Sequence, residues 1–477
     1  MPTSLIRRFA LTLLLGLLSP LAGRLHAAPQ WIDEQAWSAE ARRLPEVIRA
    51  THEHGLSPSH YLPDAVDAVL RQTPSAVRAA TLTQAWEALA ADLANGRVHG
   101  VAEWQTMPMQ ARPSAWQQLL PQTAEYRTLQ AEYGRLLGLK AQRGSYAWLD
   151  PREHYQPPLE DRVKAQLRLR LQQAGVGDVH SETGSLREAI AHAQRRFALL
   201  PSGEMDAATI AALNVPLSTR LRQLRAVLDR LRRQRAWPAD RLHINIPAFT
   251  LTQWQAGHAV ANHRVIVGRT DRPTPELVAD LRSIVLNPTW TVPPTIFHED
   301  KLPALLKNPQ AFSGQGFSFY RTNDGRQQAV SPASVDWAAV AGGRESLRMV
   351  QAPGPNNALG QVKFLFPNRY SVYLHDTPSR HLFDEPQRMF SSGCVRLEAP
   401  LALAGRLLAQ DRRGQPIDLQ RIVRSGTTTS IPLSTPLAVV LDYQTAVLSD
   451  AGELVFFNDI YGRDARWVAS LDDTERF

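Results

Sequence analysis

The sequence predicts a multidomain α+β protein, helical in its first half and β-rich in its second. Three observations predict it. Apolar residues recur at helical spacing from about residue 30 to Trp237. From Arg241 the pattern turns to alternation, in short runs separated by Gly, Pro and Asn. In between, Asp150-Pro151 and Gln156-Pro157-Pro158 break the texture and mark a domain boundary. A chain of 477 residues has room for two to four domains with ample core.

The chain opens with Arg7 and Arg8, the apolar run FALTLLLGLLSPLAG and a small-residue end. That is the pattern of a secretory signal peptide over residues 1–28, cleaved after Ala27 or Ala28. An uncleaved membrane anchor is the alternative. No later run is long enough to span a bilayer, so the mature chain is expected outside the cytoplasm with no membrane span. Charged residues make up 21% and hydrophobic residues 44%, a soluble balance. The net charge is +8 and comes from arginine, with lysine only at 140, 164, 301, 307 and 363. A basic surface suits an anionic polymer, anionic lipid or nucleic acid, and arginine-rich composition alone explains it equally well. No nucleic-acid-binding module is visible, so nucleic acid is not an expected partner.

Residues 30–155 read as a helical scaffold. WIDEQAWSAEARRLPEVIRATHEHG is amphipathic and stops at Gly55; LTQAWEALAADLANGRV stops at Asn95-Gly96. His52, His54 and His60 lack carboxylate or thiol partners and read as solvated or turn residues, so no metal or cofactor is expected. Residues 156–216 form a small helical unit. Ile190, Ala193, Phe197 and Leu200 share a helical face, Pro201-Ser202-Gly203 stops the helix, and Asp206 caps the next. His192 reads as a solvated or core residue and not a ligand, and Arg195 and Arg196 are expected on the solvated surface, with an anionic glycan as the alternative they could face. Residues 217–239 form a basic linker helix whose Leu221, Leu224, Leu228 and Leu231 make a seam too narrow for a membrane surface.

Residues 240–446 form the β domain, beginning RLHINIPAFTLTQWQAG. Within it, 290–362 is too long for an idle loop. Phe317, Phe319, Tyr320 and Trp337 supply a small core for this insertion. After Pro400 come two packing helices, and residues 447–477 read as closing strands and a loose tail.

The chemistry concentrates in YLHDTPSRHLFDEPQRMFSSGCVRL, residues 373–397, which holds Cys394, the only cysteine. A lone thiol has no disulfide partner within the chain. With His375 upstream it makes the minimal outfit of a thiolate nucleophile and its base. A buried structural thiol is the alternative. Ser391, Ser392 and Gly393 form a small-residue turn whose backbone N–H groups, with that of Cys394, suit a tetrahedral oxyanion. Tyr373 and His375 are two apart on a strand and share a face. Asp376 is adjacent to His375 and points elsewhere if the strand continues, so a backbone carbonyl serves equally as orienter. Arg396 suits either a substrate carboxylate or a structural salt bridge. His381 receives no role.

HDT and SSGCVR, preceded by VYL, resemble the active-site signature of the L,D-transpeptidases with a YkuD-type catalytic domain, above all their large periplasmic members. VIVGR, RPTP and IVLNPTWTVP resemble the early half of that domain. LREAIAHAQRRFALLPSGEMDAATIAALN is similar to the peptidoglycan-binding three-helix domain. Ser392 stands where many relatives carry a histidine, which leaves His375 as the base.

The resemblance implies a helical N-terminal scaffold, a small three-helix peptidoglycan-binding domain and a β-sandwich catalytic domain with a capping insertion. It implies a periplasmic enzyme that acts on peptidoglycan tetrapeptide stems. Cys394 attacks the third residue, D-Ala leaves, and another stem's amine resolves the thioester into a 3→3 cross-link. Acylation by carbapenems is implied as well. An L,D-carboxypeptidase, a protein-to-peptidoglycan ligase and a non-catalytic wall-binding scaffold remain as alternatives.

Overall fold

A computed structural model describes residues 30–98, 111–176, 185–234, 237–323, 326–411 and 417–473. The expected signal peptide lies outside these residues. Among them no helix is long and apolar enough to cross a membrane.

The N-terminal half is helical, with one short hairpin, β1 (Ile32–Asp33) and β2 (Ala36–Trp37). Its helices are α1 (Ala39–Ala50), α2 (Pro63–Leu70), α3 (Ala76–Asn95), α4 (Ala124–Arg143), α5 (Asp161–Gln173), α6 (Leu186–Arg196), α7 (Ala207–Leu213) and α8 (Leu217–Arg233). Sequence signals set several starts. Ser38, Ser75 and Thr123 accept backbone N–H groups at α1, α3 and α4, and Asp206 does so at α7. Ser185 and Glu188 close a reciprocal capping box on α6. Gly96 and Gly144 follow α3 and α4 with φ of 73° and 72°, a region where a side chain is strained.

All eight helices contribute to one hydrophobic core that α8 crosses. Leu221, Leu224 and Leu228 are buried as the seam predicts. The helix is also buried where it is charged: Arg220, Arg230 and Arg232 are each at most 4% exposed. Arg232 pairs with Asp229 at 2.9 Å and Arg230 with Asp464 at 2.6 Å. Such carboxylates offset the cost of burying a guanidinium, while Arg220 relies on Gln223 Oε1 at 2.9 Å and the Ala212 carbonyl at 3.1 Å.

Three surface expectations fail here, and one expected core position lies outside. Leu200 lies past the end of α6, which stops at Arg196, and is 83% exposed. Arg196 is buried against Glu132 at 2.6 Å, whereas Arg195 stays on the surface as expected, 3.5 Å from Glu453. His54 packs inside, with Nδ1 3.2 Å from the Tyr126 hydroxyl, and burial drives its pKa down to about 4. His60 is buried too.

The C-terminal half is β-rich. Its first strands are β3 (Arg241–Asn245), β4 (Thr250–Gln255), β5 (His258–Gly268) and β6 (Leu277–Leu286). The insertion holds β7 (Trp290–Thr291), α9 (Pro294–Ile296), α10 (Leu302–Lys307), β8 (Phe317–Asn323), β9 (Arg326–Val330), α11 (Trp337–Ala341) and β10 (Leu347–Gln351). The main sheet resumes with β11 (Val362–Leu365), β12 (Leu374–His375), β13 (Met389–Ser391) and β14 (Val395–Leu397). Then come α12 (Pro400–Asp411), α13 (Leu419–Arg424) and β15 (Thr429–Asp442).

The strand order is β13-β5-β14-β12-β11-β6-β15-β3-β4, and β4 pairs back onto β5. The pairing of this nine-stranded sheet thus closes on itself. Alternation explains its interior: Leu242 and Ile244, Val265 and Val267, and Val395 and Leu397 face one core while the residue between each pair points to the other face of the sheet. The insertion has its own four-stranded sheet and its own core, with Phe319, Trp337, Val340 and Met349 buried together.

The chain then returns to the helical half. Beyond β15, β16 (Ala446–Leu448) and β17 (Leu454–Phe456) pair only with each other, and Ala446, Leu454 and Phe456 join the helical core. The tail expected to be loose instead holds α14 (Arg463–Asp472), which packs on α8 through Trp467 and Leu471. The apolar spacing Trp467–Leu471 is one helical turn, which explains the docking.

Candidate active site

The site is a product of strand register. β12 pairs with β14 in parallel, setting His375 opposite Arg396, and with β11 antiparallel, setting His375 opposite Lys363. Directly opposed residues share a sheet face. Tyr373 lies two before His375 and Cys394 two before Arg396, so alternation places them on that face as well. The inward neighbours Leu374 and Val395 are in the core and anchor both strands.

Cys394 is reached through a tight turn. Gly393 has φ of 111°, a conformation that favours glycine. Ser391 Oγ donates to the Cys394 carbonyl at 2.5 Å and accepts the Gly393 N–H at 3.2 Å. Thr274 Oγ1 donates to the Gly393 carbonyl at 2.9 Å and accepts the Gly268 N–H at 2.9 Å. Arg272 donates to Ser392 Oγ at 3.1 Å, and the same guanidinium pairs with Asp300 at 2.8 Å and with Glu299. Arg272 thereby ties the turn before the sulfur to the insertion.

One cavity of about 1200 Å³ opens over this face. Cys394, His375, Arg396, Tyr373 and the Ser391–Gly393 turn line one side. Trp290, Ile296, Asp300, Lys301, Phe317 and Leu359 of the insertion line the other, and Arg466 and Trp467 of α14 reach its edge.

Charge in the site is unusual for a thiol and an imidazole. His375 Nδ1 lies 2.5 Å from the Asp376 carbonyl. A carbonyl only accepts, so Nδ1 carries the proton and Nε2 is the basic nitrogen. Burial, then the Arg396 and Lys363 charges, hold the His375 pKa down to about 3. The Asp376 carboxylate does not counter this; it accepts from the Gln361 N–H at 2.9 Å and from Arg380 at 3.1 Å.

Burial pushes the Cys394 thiol up, against the pull of hydrogen bonds from Tyr373 and the charges of Lys363 and Arg396. The partner of the sulfur is Tyr373, whose phenol also bonds Trp290. At rest the pair is thus a neutral thiol and a neutral imidazole rather than an ion pair. Arg396 Nε is buried and has no hydrogen-bond partner among the described residues. Burial lowers the Arg396 pKa, and only the cysteine opposes that.

All seven residues singled out from the sequence therefore line one cavity: Tyr373, His375, Ser391, Ser392, Gly393, Cys394 and Arg396. The Gly393 amide is engaged by Ser391 rather than left open. Sequence reasoning missed three others. Lys363 is one of five lysines in an arginine-rich chain and interrupts the apolar run of β11, which was a usable signal. Its Nζ lies 3.9 Å from the centre of the Tyr373 ring. Arg272 and Trp290 stand inside the RPTP and IVLNPTWTVP stretches, but only the fold brings the first to the turn and the second to the cavity wall.

Comparison with known proteins agrees with this geometry. Residues 239–429 match the L,D-transpeptidase catalytic domain of the YkuD family, and residues 24–133 match a Scaffold domain. A Haemophilus influenzae protein named "Putative L,D-transpeptidase" is 36% identical over 223 residues, 47% of this chain and 44% of that protein. The match thus spans less than half the length of that curated relative.

Proposed function

We propose, from the match of residues 239–429 to the L,D-transpeptidase catalytic domain of the YkuD family, that the chain is a peptidoglycan transpeptidase forming 3→3 cross-links through a Cys394 thioester. The observation that carries the proposal is the shared cavity of Cys394, His375 and Arg396 beneath the insertion. Nε2 of His375 takes the thiol proton as sulfur attacks the carbonyl of the third stem residue. The backbone amide N–H groups of the 392–394 turn meet the developing oxyanion, with the Gly393 N–H exchanging Ser391 Oγ for it. The C–N bond breaks, and His375 returns the proton to the departing D-Ala. A second stem's amine then attacks the thioester by the same path in reverse. Arg396, which lines the cavity and whose Nε has no hydrogen-bond partner among the described residues, takes the substrate carboxylate. Tyr373 holds the sulfur and the pocket wall.

The insertion acts as a lid that limits water at the thioester. The unit of α5, α6 and α7 serves as the wall-binding domain, on surfaces other than the Arg196 face. The protein works in the periplasm after removal of residues 1–28.

The test is purified protein incubated with defined tetrapeptide muropeptides and the products weighed. Loss of D-Ala with a protein-bound acyl mass and 3→3 dimers is expected, and none of these with Cys394→Ala. Normal cross-linking by Cys394→Ala overturns the proposal. Tripeptides without dimers would point to a carboxypeptidase instead.

A further inference from the structure

Three adjacent strands set Lys363, His375 and Arg396 in one row, a base between two cations. The remaining groups facing the imidazole supply no negative charge. From its own strand come the Tyr373 ring, 5.5 Å away centre to centre, and the Asp376 carbonyl. From β14 comes Cys394 beside Arg396. The Asp376 carboxylate is turned to Gln361 and Arg380. Of the carboxylates that line the cavity, Asp300 is held by Arg272 and Glu276 by Arg463 at 2.8 Å. An imidazolium at His375 would therefore form between two like charges with nothing to offset them. The low proton affinity of His375 follows from burial first and these two cations second. Yet acyl transfer requires His375 to hold a proton.

We infer that the acyl donor supplies the missing charge: a carboxylate on the residue just beyond the scissile carbonyl docks on Arg396 and thereby arms His375. The inference rests on the acyl-transfer reading above. Arg396 suits the role because its buried Nε is unpartnered and it lines the cavity. Lys363 does not line the cavity; it sits on the Tyr373 ring and sets the standing charge that the substrate must balance. The site would thus use donors that end in a free carboxylate one residue past the cut.

The proton balance closes. The sulfur proton moves to Nε2 as the S–C bond forms and the carbonyl electron pair moves to oxygen. When the C–N bond breaks, Nε2 gives that proton to the leaving amine. The leaving amino acid carries its carboxylate away, so Arg396 is bare again and His375 is disarmed. Water brings no charge to rearm it. An acceptor amine that sits next to a carboxylate does, since it enters where the leaving group left.

The test uses Cys394→Ser protein, which cannot turn over by the thioester, with isotope-labelled histidine. His375 is assigned by loss of its signal in His375→Gln. N-acetyl-D-alanine and N-acetyl-D-alaninamide are the probes. Without a probe His375 stays neutral down to the lowest pH at which the fold persists. Saturating acid probe raises its midpoint by at least about one pH unit, a tenfold gain in proton affinity, and the amide leaves it unchanged. In Arg396→Gln the midpoint is already raised and neither probe moves it. Equal effects of acid and amide overturn the inference, as does an unmoved midpoint or failure of the acid to perturb the site. Normal cross-linking with an unmoved midpoint would overturn the inference alone; a raised midpoint without acyl transfer would overturn the reading it rests on.

Discussion

His375 Nδ1 and the backbone oxygen of Asp376 are 2.5 Å apart, while the Asp376 side chain faces the other way, to Gln361 and Arg380. The orienting acceptor is thus peptide, and it survives any change of the carboxylate. Asp376→Asn is expected to lower kcat only severalfold, by loosening the loop at Gln361. His375→Gln is expected to lower it by about 10²–10⁴, the range for loss of a general base. Acylation kinetics with a tetrapeptide donor compare the two. Equal losses in both variants would mean that the carboxylate acts on the imidazole after all.

Arg272 holds Ser392 on one side and Asp300 and Glu299 on the other. Arg272→Ala is expected to leave acylation by a small donor nearly intact. It should raise the fraction of thioester lost to water, because the insertion is no longer tied to the turn. The ratio of tripeptide to dimer reads this. An unchanged ratio together with slow acylation would assign Arg272 to the chemistry and not to the lid.

Two buried imidazoles make the fold sensitive to acid. His375 and His54 have folded pKa values of about 3 and about 4, below the ordinary 6.5. Both bind a proton less well folded than unfolded. Stability is therefore full above about pH 6.5 and is lost as pH falls from there toward those values, by up to about 1.4 kcal/mol per pH unit for each group. Urea midpoints at pH 7 and pH 5 measure the loss, and His54→Gln should shrink it. A midpoint that does not fall between those pH values contradicts the burial of both rings.

Arg230 and Asp464 form a 2.6 Å pair, each at most 2% exposed, that joins α8 to α14. Arg230→Met leaves the carboxylate buried and is expected to cost about 3–5 kcal/mol in denaturant unfolding. Arg230→Met with Asp464→Leu should recover most of that, since no stranded charge remains. If the double variant is as unstable as the single, packing rather than charge dominates there.

The catalytic row was legible in outline because it is local. Tyr373 and His375, and Cys394 and Arg396, each lie within three residues, and alternation alone puts each pair on one face. What the sequence did not reveal was the pairing between the two segments and the third strand beside them. Lys363 belongs to the site only through the β11–β12 register, and Arg272 only through the turn it braces. The helical half shows the same division. Caps at Ser185 and Asp206 follow from local chemistry. Arg196 and His54 looked like surface residues because their partners, Glu132 and Tyr126, sit on α4, 64 and 72 residues away in sequence. The tail was misjudged for a similar reason: its apolar residues find their partner on α8.

The β domain leaves the helical half through α8 and comes back to it through β16 and β17, which join its main core, and through α14, which packs on α8. It is mounted at two points, like a door on two hinges, and not hung from a single cord. Swinging the cleft to search for distant strands of wall would require both mounts to yield together. Under the proposed function, the reach of the site would be fixed by how the whole molecule lies on the polymer, with stems delivered to a stationary mouth.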